Sequence, residues 1–390
     1  MKQLLDHGLR LLAAVSLMIT FGYAMAQAQQ GQPVRTEAGK PPYNIIFVIS
    51  DQRAYRLFAE GDYSVPGIDE IARRGVTFNN HYIASAMCTA SRAAFLTGQP
   101  PQVNGVFDQM QYYFVPGLSP GLPNMGSVLK GLGYKTAYFG KFEMDKKHLN
   151  PEPTVNYSTV FQPYGFDVFS AGGDIGSAPR SGFNNDPFIA GESVRWLRET
   201  ASEARRTDRP FFMVASFVNP HAIMFGNGNI PGQAPVQIAV APQAVPPPPE
   251  SSNYQRKWSF TLSPSLQESL TAPGMPAALS EYKKGWDGWS GAIPEDRKDM
   301  WSVFYNYYLN SIRDEDSALQ QLVDVMNEMD LWRYTVVVFT ADHGEIGRQR
   351  PTSAWSRPGA TEFACFMWTI SGCRPGAPRS ANGFPLNLTA

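Results

Sequence analysis

Three continuous apolar runs mark the chain, and each ends in polar, reactive residues. They are "YNIIFVISD" (43–51), "PFFMVASFVNPH" (210–221) and "YTVVVFTADHGE" (334–345). Runs of this length, apolar at successive positions and rich in β-branched and aromatic residues, predict parallel strands buried on both faces. Between them the period becomes helical. "VPGIDEIARRG" (65–75) sets Ile68 and Ile71 at helical spacing and stops at a glycine. "SRAAFLTG" (91–98) predicts a short helix opened by Ser91 and closed by Gly98. "MGSVLKGLG" followed by "YKTAYFGK" predicts helix, turn and strand, and amphipathic helices are expected over 190–206 and 300–330. Helices alternating with doubly buried strands predict an α/β fold with a mixed, mostly parallel sheet flanked by helices. The segment 222–295 breaks the pattern. It is rich in Gly, Pro, Gln and Ser and contains "VPPPPE", so it is expected to be a loop or lid insertion.

The first 28 residues read differently. Lys2 and Arg10 precede the apolar run "LLAAVSLMITFGYA", which is too short to span a bilayer comfortably, and "AMAQAQ" follows with small residues at cleavage spacing. Residues 1–28 are therefore expected to be a signal peptide, and 29–42 a polar lead-in. That predicts a periplasmic or secreted protein without a stable membrane anchor. The net charge of -1 over 390 residues provides no basic field, so nucleic acid is not an expected partner. In an oxidising compartment Cys365 and Cys373 are able to pair, which leaves Cys88 as the odd cysteine.

The strand ends carry the chemistry. Asp51, Lys141, His221 and Asp342-His343 all fall at carboxyl ends of predicted strands, where open sheets of this class bind ligands. Asp51, Asp342 and His343, with a carbonyl oxygen from Gln52, suit a divalent metal such as Ca²⁺, Mg²⁺ or Mn²⁺ better than Zn²⁺. Arg92 and Lys141 are cations able to grip the oxygens of a sulfate or phosphate group. His221 is placed to protonate a leaving group. Cys88, one turn before Arg92, is the available nucleophile. Each residue alone has an ordinary structural explanation, but together they describe one oxyanion-transfer site.

The chain resembles the sulfatases of the alkaline phosphatase superfamily. The signature reads Cys88-Thr89-Ala90-Ser91-Arg92 with Thr97-Gly98, and the landmarks "NIIFVISDQ", "GYKTAYFGK", "NPH" and "VVVFTADHGE" follow in order over residues 43–348. The resemblance implies an alkaline-phosphatase-like catalytic domain. It implies that Cys88 is oxidised to formylglycine (3-oxoalanine) by a formylglycine-generating enzyme, and that residue 88 then joins the metal set of Asp51, Gln52, Asp342 and His343. Ca²⁺ is the first expectation for the ion, with Mn²⁺ and Mg²⁺ as alternatives. In the implied reaction one diol oxygen attacks the sulfur of a small-molecule or saccharide sulfate ester. The alcohol leaves with a proton from His221 or Lys141, and the remaining hydroxyl expels sulfate. Arg92 and Lys141 are implied to stabilise charge on the transferring group.

Some positions depart from the family pattern. The first strand ends Ser50-Asp51-Gln52 where many members have two adjacent aspartates, and Asp342-His343 replaces Asp-Asn. This is more like the choline-sulfatase and phosphonate-monoester-hydrolase branch, so a phosphonate or phosphate ester hydrolase is the alternative activity. The family's Gly-Lys-Trp-His appears as Gly140-Lys141-Phe142-Glu143. The tail 349–390 contains no lysine and little periodicity. A truncated or frame-shifted end is expected there, with the usual C-terminal subdomain missing, and an inactive truncated homologue is the third reading.

Overall fold

Strand β1 (Asn44–Asp51) sits fourth in a seven-stranded sheet, and nearly every one of its residues is buried. In the computed structural model, the described residues are 42–55, 57, 59–78, 81–148, 160–170, 178–262 and 269–345, with the backbone alone at 366–370. The expected signal peptide, nearly all of the lead-in, Cys365 and Cys373 lie outside them. After β1 come α1 (Pro66–Arg74), β2 (Val76–Phe78), α2 (Cys88–Thr97), α3 (Met125–Gly131), β3 (Lys135–Gly140), β4 (Val168–Ser170) and α4 (Ser181–Thr207). β5 (Phe211–Pro220), α5 (Ala277–Ser290), α6 (Lys298–Glu328), β6 (Thr335–Ala341) and β7 (Phe366–Ile370) follow. The sheet order is β2-β7-β6-β1-β5-β3-β4. β6, β1, β5, β3 and β4 run parallel, while β7 pairs antiparallel with both β6 and β2.

The alternation along each strand divides the core between the two faces of the sheet. Ile46 and Val48 of β1 face the same way as Met213 and Ala215 of β5, and α4 and α6 cover them with Trp196, Leu197, Leu319 and Leu322. Phe47 and Ile49 point to the other face, with Tyr138, Phe212 and Val214, beneath Ala93 and Leu96 of α2. The doubly buried parallel strands are those expected of continuous apolar runs. A third cluster is mostly aromatic. It joins Tyr254, Trp258 and Ile293 to Trp301, Phe304, Tyr305 and Tyr308 on the first half of α6. Part of the segment expected to be a loop or lid therefore contributes core, and it also contains α5.

Local chemistry explains most boundaries. α2 starts at Cys88, three residues before the expected Ser91, because extended Met87 lets its carbonyl accept from Ser91 N at 2.8 Å. It stops at Gly98, whose φ of 67° is left-handed. α4 begins at Ser181, earlier than expected, and runs through Pro187. The apolar patch in the tail is β7, which no turn or alternation signal marked as a strand. Among the described residues, no helix is long and apolar enough to cross a membrane.

Gly140 ends β3 with φ +100°, and a Cβ there would lie 2.0 Å from the Ser216 carbonyl oxygen. That close approach lets Lys141 N donate to the same carbonyl at 3.0 Å. Gly140→Ala is expected to cost about 1–3 kcal/mol from the backbone strain alone, with the clash in addition. Urea unfolding of the variant beside the parent measures it.

Candidate active site

The carboxyl edge of the parallel strands brings together Asp51, Lys141, His221, Asp342 and His343, and α2 delivers Cys88 and Arg92 to the same place. All seven are buried. The register of β1 against β5 breaks between Ile49 and Asp51. Beyond it Gln52 takes a left-handed φ of 63°, which a non-glycine residue holds only when its surroundings enforce it. α6 does the enforcing. Tyr308 Oη donates to Gln52 O at 2.9 Å and accepts from Ala54 N at 2.7 Å. Ser50 Oγ donates to Glu315 Oε2 at 2.8 Å, and Gln52 N donates to Asp342 Oδ1 at 3.0 Å.

Arg92 is enclosed by protein. Its Nε donates to Asp342 Oδ2 at 2.9 Å and its Nη2 to Asp51 Oδ2 at 3.0 Å. Its Nη1 donates to Lys141 O at 2.7 Å and Ser216 Oγ at 2.8 Å. The structure thus places Arg92 behind the two carboxylates, with each of its nitrogens occupied. Neighbouring carboxylates outweigh burial and hold its pKa well above the usual value.

Lys141 Nζ lies 2.6 Å from Asp51 Oδ2 and 2.8 Å from Glu143 Oε2. Burial opposes its charge, but Asp51, Cys88 and Glu143 outweigh that and raise its pKa. His221 Nδ1 is 3.2 Å from Asp51 Oδ1. Burial and the Lys141 charge push its pKa down, yet Asp51 prevails and lifts it to about 9. Asp51 shows the mirror image. Burial resists its ionisation, and the charges of Lys141, His221 and Arg92 overcome that and hold it well below the carboxylate range.

The Cys88 sulfur is 2.9 Å from His343 Nε2 and 3.9 Å from Asp51 Oδ1. His343 Nδ1 lies 2.8 Å from Gly344 O. A carbonyl only accepts, so Nδ1 carries a hydrogen and Nε2 is the atom turned to the sulfur. Burial pushes the Cys88 thiol up, but the Lys141 and His343 charges bring it below its ordinary value. Asp342 Oδ1 accepts from Gln52 N and from His343 N, the latter at 2.8 Å.

Ligand atoms of Asp51, Cys88, Asp342 and His343 all lie within 4.8 Å of one another. Two carboxylates and an imidazole with its far nitrogen tied to a carbonyl fit a divalent cation. Gln52 stands beside this set, its side-chain Nε2 donating to Glu345 Oε2 at 2.5 Å. Sequence reasoning gave no role to Ser216, Tyr308, Glu315 or Glu345. Ser216 had one faint signal, as an isolated hydroxyl in the apolar run of β5. Tyr308 and Glu315 had none, since their partners lie more than 250 positions away.

Comparison with known proteins agrees with this geometry. The sulfatase family model matches residues 43–382, which takes in every residue of the cluster and extends past the expected boundary at 348. An ulvan-active sulfatase of Formosa agariphila is 27% identical over 340 residues, covering 82% of this chain and 52% of that protein. A choline-sulfatase of Rhizobium meliloti is 28% identical over 344 residues, covering 80% of this chain and 59% of its own length. The chain thus spans between half and three fifths of these relatives. A solved 2-O GAG sulfatase superposes with a TM-score of 0.54 at 17% identity, covering 84% of this chain and 64% of that one. The phosphonate monoester hydrolase of Agrobacterium radiobacter gives 0.52 at 16% identity, covering 85% and 68%. Both share the fold. With the family model matched across the whole sheet and the whole cluster, the chain belongs to the sulfatase family, within the alkaline phosphatase superfamily.

Proposed function

We propose that the protein hydrolyses a sulfate monoester, releasing an alcohol and sulfate, with residue 88 as its nucleophile. The observation that carries this reading is the place of Cys88. Its sulfur sits at the start of α2, against His343 and Asp51, in a buried set that also fits a divalent cation. The thiol stands in for the oxygens of formylglycine, to which a formylglycine-generating enzyme would convert it. Converted and hydrated, residue 88 would place two hydroxyls there, one to attack the ester sulfur as the S–O bond to the alcohol breaks, the other to lose its proton as sulfate leaves by C–O cleavage.

The chain's other residues have distinct tasks. Asp51, Asp342 and His343, with Gln52 beside them, would hold the cation, Ca²⁺ first and Mn²⁺ or Mg²⁺ as alternatives. When bound, it supplies Lewis-acid activation of the nucleophile and polarises the sulfate oxygens. Arg92 fixes the two aspartates. Lys141 offers a positive charge to the transferring group. His221, across Asp51 from Lys141, is the donor for the departing alkoxide, with Lys141 as the other candidate. The alcohol is that of a small molecule or a saccharide, as the names of the choline-sulfatase and ulvan-active relatives suggest for this chain. A phosphonate or phosphate monoester fits the same donors and belongs in the same assay. We place the protein in the periplasm or outside the cell.

Mass spectrometry of the peptide bearing Cys88, from protein made in its own host, should show the loss expected for thiol-to-aldehyde conversion. Cys88→Ala should lower sulfate ester turnover about 10³-fold or more. Equal turnover by parent and variant would refute the assignment.

His221→Gln should lower kcat about 10²–10⁴-fold on an alkyl sulfate. It should have a much smaller effect on 4-nitrophenyl sulfate, whose leaving group needs no proton. Equal losses on both would remove His221 as the acid.

Chelation should remove a stoichiometric divalent ion and the activity together. Metal analysis of Asp342→Asn should find the ion depleted before any chelator is added.

A further inference from the structure

His221 is carried by an irregular stretch of β5. The pairing of β5 with β3 ends at Ser216 and Gly140. Its pairing with β1 goes straight from Ser216–Ile49 to Pro220–Asp51, so β5 advances four residues where β1 advances two, and the two extra residues form a bulge. A bulge leaves backbone groups without ladder partners and re-aims the side chains beyond it. Where the strand is buried, those groups need partners from elsewhere.

Asp186 of α4 is that partner. Its Oδ1 accepts from Val218 N at 2.7 Å and its Oδ2 from Asn219 N at 3.0 Å. One carboxylate oxygen for each amide fixes both peptide planes just ahead of His221. The Asn219 side chain is held as well. Its Nδ2 donates to Asp314 Oδ2 at 3.1 Å, and the same oxygen accepts from Tyr254 Oη at 3.0 Å. Gly182 of α4 leaves the room for it, since a Cβ at 182 would lie 2.2 Å from Asn219 Oδ1. α4, α6 and Tyr254 thus close on the bulge, and beyond it His221 Nδ1 stands 3.2 Å from Asp51 Oδ1.

A carboxyl is an expensive group for this place. Asp186 is wholly buried. Desolvation raises its pKa well above the carboxylate range, and the two amides offset only part of that rise. α4 gains nothing as a helix from a buried acid, so the benefit lies in the bulge that the acid holds.

We propose that Asp186 is a positioning residue for proton donation: by taking the two amides of the β5 bulge it sets the His221 imidazole against Asp51, with Asp314 as a second, weaker brace through Asn219. The catalytic consequence rests on the hydrolase reading, whereas the brace itself is measurable without turnover.

Asp186→Asn keeps one acceptor and turns a donor on the other amide. In the full chain it should speed hydrogen exchange at the Val218 and Asn219 amides, and its crystal structure should show His221 drawn away from Asp51. It should lower kcat on an alkyl sulfate about 10–10²-fold, the scale of a misplaced catalytic group, with little change on 4-nitrophenyl sulfate. In a His221→Gln background the same substitution should lower kcat no further, because the two residues act as one. Asp314→Ala should repeat the pattern with a smaller loss, and it serves as the test if Asp186→Asn does not fold. Equal losses on both esters, a full further loss in the His221→Gln background, or unchanged exchange at 218 and 219 would each overturn the proposal. A matured parent that cleaves neither ester would discard the hydrolase reading alone. The brace would then stand if exchange quickens and His221 moves, and fall if His221 keeps its place.

Discussion

The guanidinium of Arg92 is the interaction on which the rest of the site depends. It is wholly buried, and it ties three strand ends and β5 to α2. Asp51 ends β1, Asp342 follows β6, Lys141 O follows β3, and Ser216 belongs to β5. Taking a cation out of water costs several kcal/mol, and only a full complement of partners offsets that. Here two carboxylates, a carbonyl and a hydroxyl supply it. The same bonds hold the facing oxygens of Asp51 and Asp342 apart from each other's charge and aim them toward residue 88.

α6 is the second support, and it works through two sets of residues. Through Tyr308 and Glu315 it grips the turn after β1, where Gln52 is held in left-handed backbone. Through its aromatic first half it packs against Ile223, Tyr254, Trp258 and Ile293 of the segment 222–295, in which Phe225 lies beside His221 and Trp289. Charge is balanced in the same compact way. Arg92, Lys141 and the two histidines stand against Asp51, Asp342, Glu143 and the residue-88 sulfur.

The sheet was legible because its strands are buried on both faces. Such strands must be apolar at every position, and the runs at 43–51, 210–221 and 334–345 state this directly. The reactive residues were legible for a related reason, since a polar residue ending an apolar run has few places to go except the strand's edge. What the sequence hid depends on distance. The short strands β2 and β4 have too few residues to show alternation, and β7 lies in a stretch without turn signals. A motif reports that a cation is present at Arg92 but not which partners it will have, and its bonds to Asp51, Asp342, Lys141 and Ser216 are visible only in the fold. Tyr308 and Glu315 were invisible, because helix periodicity marks a buried face without revealing what that face will meet.

The burial of Cys88 has a consequence in time. At 2% exposure in the first turn of α2, its sulfur is closed off by groups that reach it only when β6 has joined β1. Gln52 and Asp342 are 290 positions apart, so this closure is a non-local event of the kind that comes late in folding. Residue 88 is synthesised long before residue 342. An enzyme that altered the thiol would therefore meet it most openly in an extended segment, before the sheet closes.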